Sequence, residues 1–199
     1  LAQTELKSIR SQFNPHFVFN ALSSIQGLVT KGDNKTANQY LSTFSTLMRE
    51  SLLRSKDEFT SLATEIKLMD NYLKLEQLRF GFTYDIEVEP GIDTHALEVP
   101  GLLLQPLVEN AIKHGAAPLY KQGALKIRVY IKNDDLLFNI QDNGNGFEEQ
   151  NETAGVGLRL TRERIRLLNS MLERQRMELA IGRNDGLTQV CIQFKNWLL

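Results

Sequence analysis

Four groups of residues in this 199-residue chain have types and spacings suited to chemistry. The first is His16, set directly after Pro15 and four residues before Asn20. A neutral imidazole is a nucleophile, and its ordinary pKa of about 6.5 leaves the neutral form dominant at neutral pH. The second is Glu109-Asn110 with Lys113-His114, at the end of the apolar run that begins at Leu102. Helical spacings of three and four put Asn110, Lys113 and His114 on one face, with Glu109 on the neighbouring stripe. An amide and a carboxylate so placed are oxygen donors for a ligand or a hard cation. The third is Asp142, followed by Gly144 and Gly146, an acceptor beside backbone that can approach a ligand closely. The fourth is Gly155-Val156-Gly157-Leu158, which opens a helical pattern where unpaired N–H groups can receive phosphate oxygens. Each has a plain structural explanation when taken alone. Leu102–Gly115 reads as an amphipathic helix with Gly115 as its stop, Asp-Asn-Gly is a common turn, and Lys113 suits a solvated surface. Neither a phosphate loop of the GxxxxGK[ST] type nor a dinucleotide GxGxxG follows a strand here.

The elements that must hold these groups read as an α+β arrangement. Residues 2 to about 29 carry a helical pattern interrupted at Pro15, where a kink or local break is expected. A turn at Thr30–Asp33 leads to a second helix over about 34–54. Two helices of this length bury little surface alone, so either they form half of a homodimeric four-helix bundle or both pack on the rest of the chain, and the residues alone leave both open. After a connector at Lys56–Phe59, Thr60 or Ser61 caps a third helix that runs to Gly81. Alternation then predicts strands at Phe82–Val88, Leu125–Ile131, Leu136–Gln141, Met177–Ile181 and Thr188–Phe194. The Leu102–Gly115 helix, a loop at 116–123 and a helix over about 158–172 lie between them. The predicted organisation is a helical hairpin at 1–56, then an α/β sandwich at 57–199 with a mixed, mostly antiparallel sheet packed on helices.

Composition narrows the partners. A formal net charge of −1 offers no electrostatic reason to expect nucleic acid. Cys191 is the single cysteine, which excludes an internal disulfide. No apolar run reaches membrane-spanning length. The chain starts without Met in what reads as mid-helix, so it is expected to be a piece of something longer.

Order and spacing then join the four groups. ENAIKHG, two strands, DNGNG, and a GVGL that opens a helix resemble the ATP-binding domain shared by histidine kinases, gyrase-type topoisomerases, Hsp90-type chaperones and MutL-type repair proteins. More closely, QFNPHFVFNALSSI, LLLQPLVENAIKHG, DNGNGF and GVGLRLTRERIRLL resemble the LytS/YehU-type sensor histidine kinases, over essentially the whole chain. That resemblance implies ATP and Mg²⁺ as cofactors and His16 as the phosphoacceptor. Asn110 would be the Mg²⁺ ligand, with Glu109 orienting a water or acting near the phosphates, and Lys113 and His114 beside them. Asp142 would accept the adenine amine, and Gly144 and Gly146 would let the chain pass against the base. Gly155, Gly157 and Leu158 would cradle the phosphates beneath a lid at Glu148–Ala154. Asn20 would orient a water for dephosphorylating a partner. The implied partners are a second copy of the chain and a response-regulator receiver domain, and the parent would be a membrane-anchored sensor with this part in the cytoplasm. A nucleotide-driven switch of the same fold, and a signalling scaffold with an impaired ATP site, are the competing readings. Two departures stand out. Phe17 occupies the place where many histidine kinases carry an acidic residue, and Leu160 stands in the second glycine motif where this subfamily more often has Asn.

Overall fold

The computed structural model describes residues 15–54, 57–146 and 156–198. Its first two helices are α1 (Pro15–Thr30) and α2 (Asn34–Arg54), joined by a turn in which Gly32 takes a positive φ of 78°. Pro15 is the first described residue of α1. The kink expected between it and the preceding segment lies outside the described residues. Phe17 and Ala21 on α1, with Ala37, Tyr40 and Leu47 on α2, form the buried seam of the hairpin.

A third helix, α3 (Leu62–Phe80), packs on α2 and is capped as the sequence predicts. The Ser61 side chain accepts from the Thr64 N–H, and Gly81 closes the other end in the left-handed conformation. Both faces of α3 are used. Phe17 stacks on Tyr72 with ring centroids 4.9 Å apart, while Tyr84 in the sheet donates to Asp70 at 2.8 Å. The connector before this helix contains a short strand, β1 (Phe59–Ser61), which pairs antiparallel with β3 (Glu98–Pro100). Trp197 stacks edge-on against Phe194 and donates its indole N–H to the Glu98 carbonyl at 2.7 Å, fastening this small ribbon to the main sheet.

The main sheet has the order β2-β4-β5-β7-β6, from β2 (Thr83–Val88), β4 (Ala124–Lys132), β5 (Asp135–Asp142), β6 (Arg176–Asn184) and β7 (Leu187–Lys195). Only β2 and β4 run parallel; the other neighbours are antiparallel. The mixed, mostly antiparallel sheet is therefore as expected. Alternating Leu125, Ile127, Val129 and Phe138, Ile140, with Ile192 and Phe194, fill the face that meets the helices.

The segment from Leu102 departs from the expected single helix. It begins as a short α-helix, α4 (Gln105–Asn110), widens into a π-helical turn over Ala111–Ala116, and ends in 3₁₀ turns over Ala117–Gln122 broken at Tyr120. Gly115 is accordingly not a helix stop, and the loop expected at 116–123 is helical. The apolar side is buried as predicted, with Leu103, Leu104, Leu107, Val108, Ala111 and Ile112 all in the core. The last helix, α5 (Val156–Met171), lies against α4. Arg164 on α5 is half-buried, with Glu65 and Glu58 near enough to favour its charge. No helix among the described residues is long and apolar enough to cross a membrane.

Candidate active site

A cavity of about 1010 Å³ opens between α1, α3 and the α4–π segment. His16 and Asn20 contribute one wall, and Glu109, Asn110, Lys113 and His114 the opposite one, with Gly157 of α5 at its edge. These residues are thus brought together across 93 positions of sequence between His16 and Glu109. His16 is exposed, and the Asn20 amide nitrogen lies 2.9 Å from its Nδ1 and 3.4 Å from its Nε2. Spacing by four residues on α1 dictates that contact.

On the facing wall the wider π turn keeps Asn110, Lys113 and His114 around one opening. Glu109 is partly buried, and burial pushes its carboxyl above the ordinary value, opposed by Gln105, whose amide donates to Oε1 at 2.9 Å. Burial lowers the His114 imidazole, and Lys113 beside it lowers it further. A Cβ placed on Gly157 would stand 3.9 Å from the Asn110 amide nitrogen, so backbone and amide approach closely without crowding. Among the described residues no cluster of three or more His, Cys, Asp or Glu is suited to a metal. The donor set at hand, one amide and one carboxylate, fits a cation that keeps most of its ligands as water and phosphate oxygen.

Sequence reasoning missed part of this wall. Tyr72, Glu76, Arg79 and Phe80 from α3 and Tyr120 also line the cavity. Glu76 is buried, and that burial raises its carboxyl; Arg79, 3.7 Å away, opposes the rise, and Glu109 adds to it. The Arg79 guanidinium rests 4.4 Å from the centre of the Phe80 ring. Glu76 had a legible signal: a carboxylate on the otherwise apolar stripe Met69, Tyr72, Leu73, Phe80.

Asp142 lies apart, in a tight notch at the far end of the π turn. It ends β5 as predicted and is 4% exposed. Its Oδ1 accepts the Gly144 N–H at 3.0 Å. Burial raises its carboxyl, while Gly144, Thr188 and Arg183 pull the other way. Close approach explains the glycines here. A Cβ on Gly115 would fall 2.2 Å from Asp142 Oδ1, and one on Gly144 would fall 2.3 Å from the Gly115 Cα. Thr188 faces Asp142 across the β5–β7 register, with its buried hydroxyl close enough to favour the carboxylate but without a hydrogen bond of good geometry. A buried acceptor beside a buried hydroxyl fits a base edge that offers an amine and a ring nitrogen. Gly146 takes a positive φ of 76° as the chain leaves this notch. Leu158 is buried under α5, whereas Leu160 is 46% exposed. Gly155 and the expected lid at Glu148–Ala154 lie outside the described residues.

Comparisons with known proteins speak to the family and the fold. Residues 4–84 match the family model described as Histidine kinase, and residues 99–196 match that of the Histidine kinase-, DNA gyrase B-, and HSP90-like ATPase. Sensor histidine kinase BtsS of Escherichia coli strain K12 is 34% identical over 166 residues, covering 83% of this chain and 29% of that protein. Sensor protein LytS of Oceanobacillus iheyensis is 28% identical over 210 residues, covering 98% of this chain and 35% of that protein. The chain therefore spans about a third of the length of these relatives. Among solved structures, the histidine kinase domain of a blue-light activated kinase from Erythrobacter litoralis superposes with a TM-score of 0.53 at 17% identity, over 96% of this chain and 93% of that one. Histidine kinase ThkA in complex with response regulator protein TrrA gives a TM-score of 0.50 at 15% identity, over 90% of this chain and 59% of that one. With a histidine-bearing helical hairpin, an ATPase-type sheet and both family models matched in order, the chain belongs to the histidine kinase family and is similar to the LytS sensor proteins.

Proposed function

We propose that this chain is the kinase portion of a two-component sensor, which transfers the γ-phosphoryl group of ATP to His16 and then to an aspartate of a response-regulator receiver domain. The observation that carries the reading is the shared cavity: His16 on one wall, Glu109 and Asn110 on the other. Phosphoryl transfer asks chiefly for positioning and for charge near the phosphate oxygens. The adenine amine would go to Asp142, beside Thr188. Asn110 would hold Mg²⁺, which when bound offsets negative charge on the phosphates. Arg79 and Lys113 would supply further positive charge, and Gly157 would present backbone at the start of α5. Glu109 would orient polar groups near the phosphates. The exposed apolar residues Phe19, Leu22 and Val29 of α1 and Leu41, Leu52 and Leu53 of α2 support a second copy packed on the hairpin as a four-helix bundle. The same reading makes the parent a membrane-anchored sensor.

The test is incubation with γ-labelled ATP and Mg²⁺, comparing wild type with His16→Gln, while nucleotide binding is followed in parallel. Acid-labile label on the wild type and none on the variant is expected. Label of equal amount on the variant would remove His16 from the mechanism.

A further inference from the structure

The covered face of β6 runs Met177, Leu179, Ile181 and then, two residues further on, an exposed Arg183. What stands beside that arginine gives it a use. Arg183 pairs with Thr188 in the β6–β7 register, and Thr188 pairs with Asp142 in the β5–β7 register. Opposed residues of neighbouring strands share a face of the sheet, so the three form one row that ends at the notch. The Arg183 guanidinium donates from Nη1 to the Asn145 carbonyl at 2.6 Å, with Nη2 3.4 Å from the Gly186 carbonyl of its own hairpin turn. A Cβ on Gly146 would meet Arg183 Nη1 and Thr188 Oγ1 at 3.5 Å each. We infer that Arg183 is a positioning residue for the base: from the edge strand it ties Asn145–Gly146 across the mouth of the Asp142 notch and fixes the width of the opening. This rests on the reading that the notch takes adenine.

The backbone from Asp142 to Gly146 is fastened differently on its two sides. Towards β4, Asn143 Oδ1 accepts the Ala124 N–H at 2.7 Å, its amide donates to the Gln122 carbonyl at 2.7 Å, and its own N–H donates to the Ala124 carbonyl at 3.2 Å. Towards β6, the fastening is the Arg183 guanidinium. Gly144 and Gly146 leave this stretch more conformations to lose than other residues would, so a tether from outside does most there. Reach decides which residue can supply it. Strands lie about 4.8 Å apart, so Arg183 stands two spacings from Asp142, a gap that a long side chain crosses and a short donor does not. A guanidinium can also hold the carbonyl and the hairpin turn at once, whereas a lysine has the reach and the charge without the fork. Burial raises the Asp142 carboxyl, and the Arg183 charge is among the groups that oppose the rise, which keeps the acceptor suited to an amine.

The test is ADP binding by calorimetry to the 199-residue chain, wild type against Arg183→Ala and Arg183→Lys. Each is titrated in low salt and in about 0.5 M salt, where charges more than a few ångström apart are screened. Arg183→Ala is expected to weaken ADP about ten-fold at both salts, the loss of one charge-assisted hydrogen bond, and Arg183→Lys about three-fold. Autophosphorylation should show the same rise in KM for ATP, with the maximal rate within about two-fold of wild type. Unchanged ADP affinity in Arg183→Ala overturns the inference. So does a loss that vanishes at high salt, which marks long-range attraction for the phosphates, and so does a fall in maximal rate with KM unchanged. Asp142→Asn separates this from the reading beneath it. If Asp142→Asn binds ADP like wild type, the adenine reading fails; if it weakens ADP while Arg183→Ala does not, only the role of Arg183 fails.

Discussion

The notch at Asp142 and the cavity at His16 are served by the two ends of one short helical segment, yet they are built on opposite plans. In the notch, two backbones and a carboxylate touch, and no atom could be added at Gly115 or Gly144 without displacing its neighbour. In the cavity, facing walls stand apart around about 1010 Å³, charged groups of both signs line the space, and Gly157 has ordinary contact distances. A base is recognised by shape and hydrogen bonds that gain from rigidity. A phosphoryl group on its way to a second nucleophile needs room and mobile charge. On the proposed function, the contrast makes selectivity and transfer separable properties of this site.

That separation can be broken first at its glycines. Gly115→Ala drives a Cβ into Asp142 and should cost about 3 kcal/mol, as overpacking of a close-packed site does. In a chain of this size that lowers the melting temperature by roughly 10 °C. Gly157→Ala should leave it within about 2 °C, since surface changes away from close packing stay within about 0.5 kcal/mol. Calorimetry on both variants decides, and equal losses would mean that the cavity edge is as tightly built as the notch.

The acids of the cavity give a smaller effect with a definite sign. Burial raises both Glu76 and Glu109 above the ordinary carboxylate value of 4.5. From that value upward the folded chain holds more protons than the unfolded one, so these groups subtract stability as pH rises through the window. Glu76→Gln and Glu109→Gln should therefore gain on wild type between about pH 4 and about pH 7 in urea unfolding. A difference that does not vary with pH would show that the walls are wet and the carboxylates effectively unburied.

The smallest effect is expected at the surface between the hairpin and α3. Lys67 donates to Glu50 at 2.9 Å, with the lysine side chain 62% exposed. Lys67→Ala should change unfolding free energy by less than about 0.5 kcal/mol. A larger loss would mean that the hairpin is fastened to α3 more firmly than its exposed contacts suggest.

Much of this could be read before the coordinates. Alternation at Phe82–Val88 and Leu125–Ile131 marked strands, and the Ser61 and Gly81 caps bounded α3, because those signals are local. The Asp142 and Asn110 motifs were visible through their order and spacing. What escaped depends on distant pairing. Strands β1 and β3 have three residues each, too few for a period, and exist only because they meet across the start of α3. Thr188 reaches Asp142 through sheet register, which no neighbouring residue announces. Glu76, Arg79 and Tyr72 looked like a helix stripe until α1 closed over them. Gly115 reads as a helix stop because a sequence shows that glycine is present and not what presses against it.

The π turn over Ala111–Ala116 carries a consequence in genetic terms. It holds one residue more than a plain α-helix would need for the same span, and so it is out of step with the turns on either side. Loss of a single in-frame codon there is the smallest edit that would restore a regular helix. It would also swing Gly115 about 100° relative to Asn110. One end of the segment could then keep its glycine against Asp142, or the other its amide toward His16, but not both. Under the proposed function, the surplus residue is what would let one stretch of chain address a base and a phosphoryl group at once.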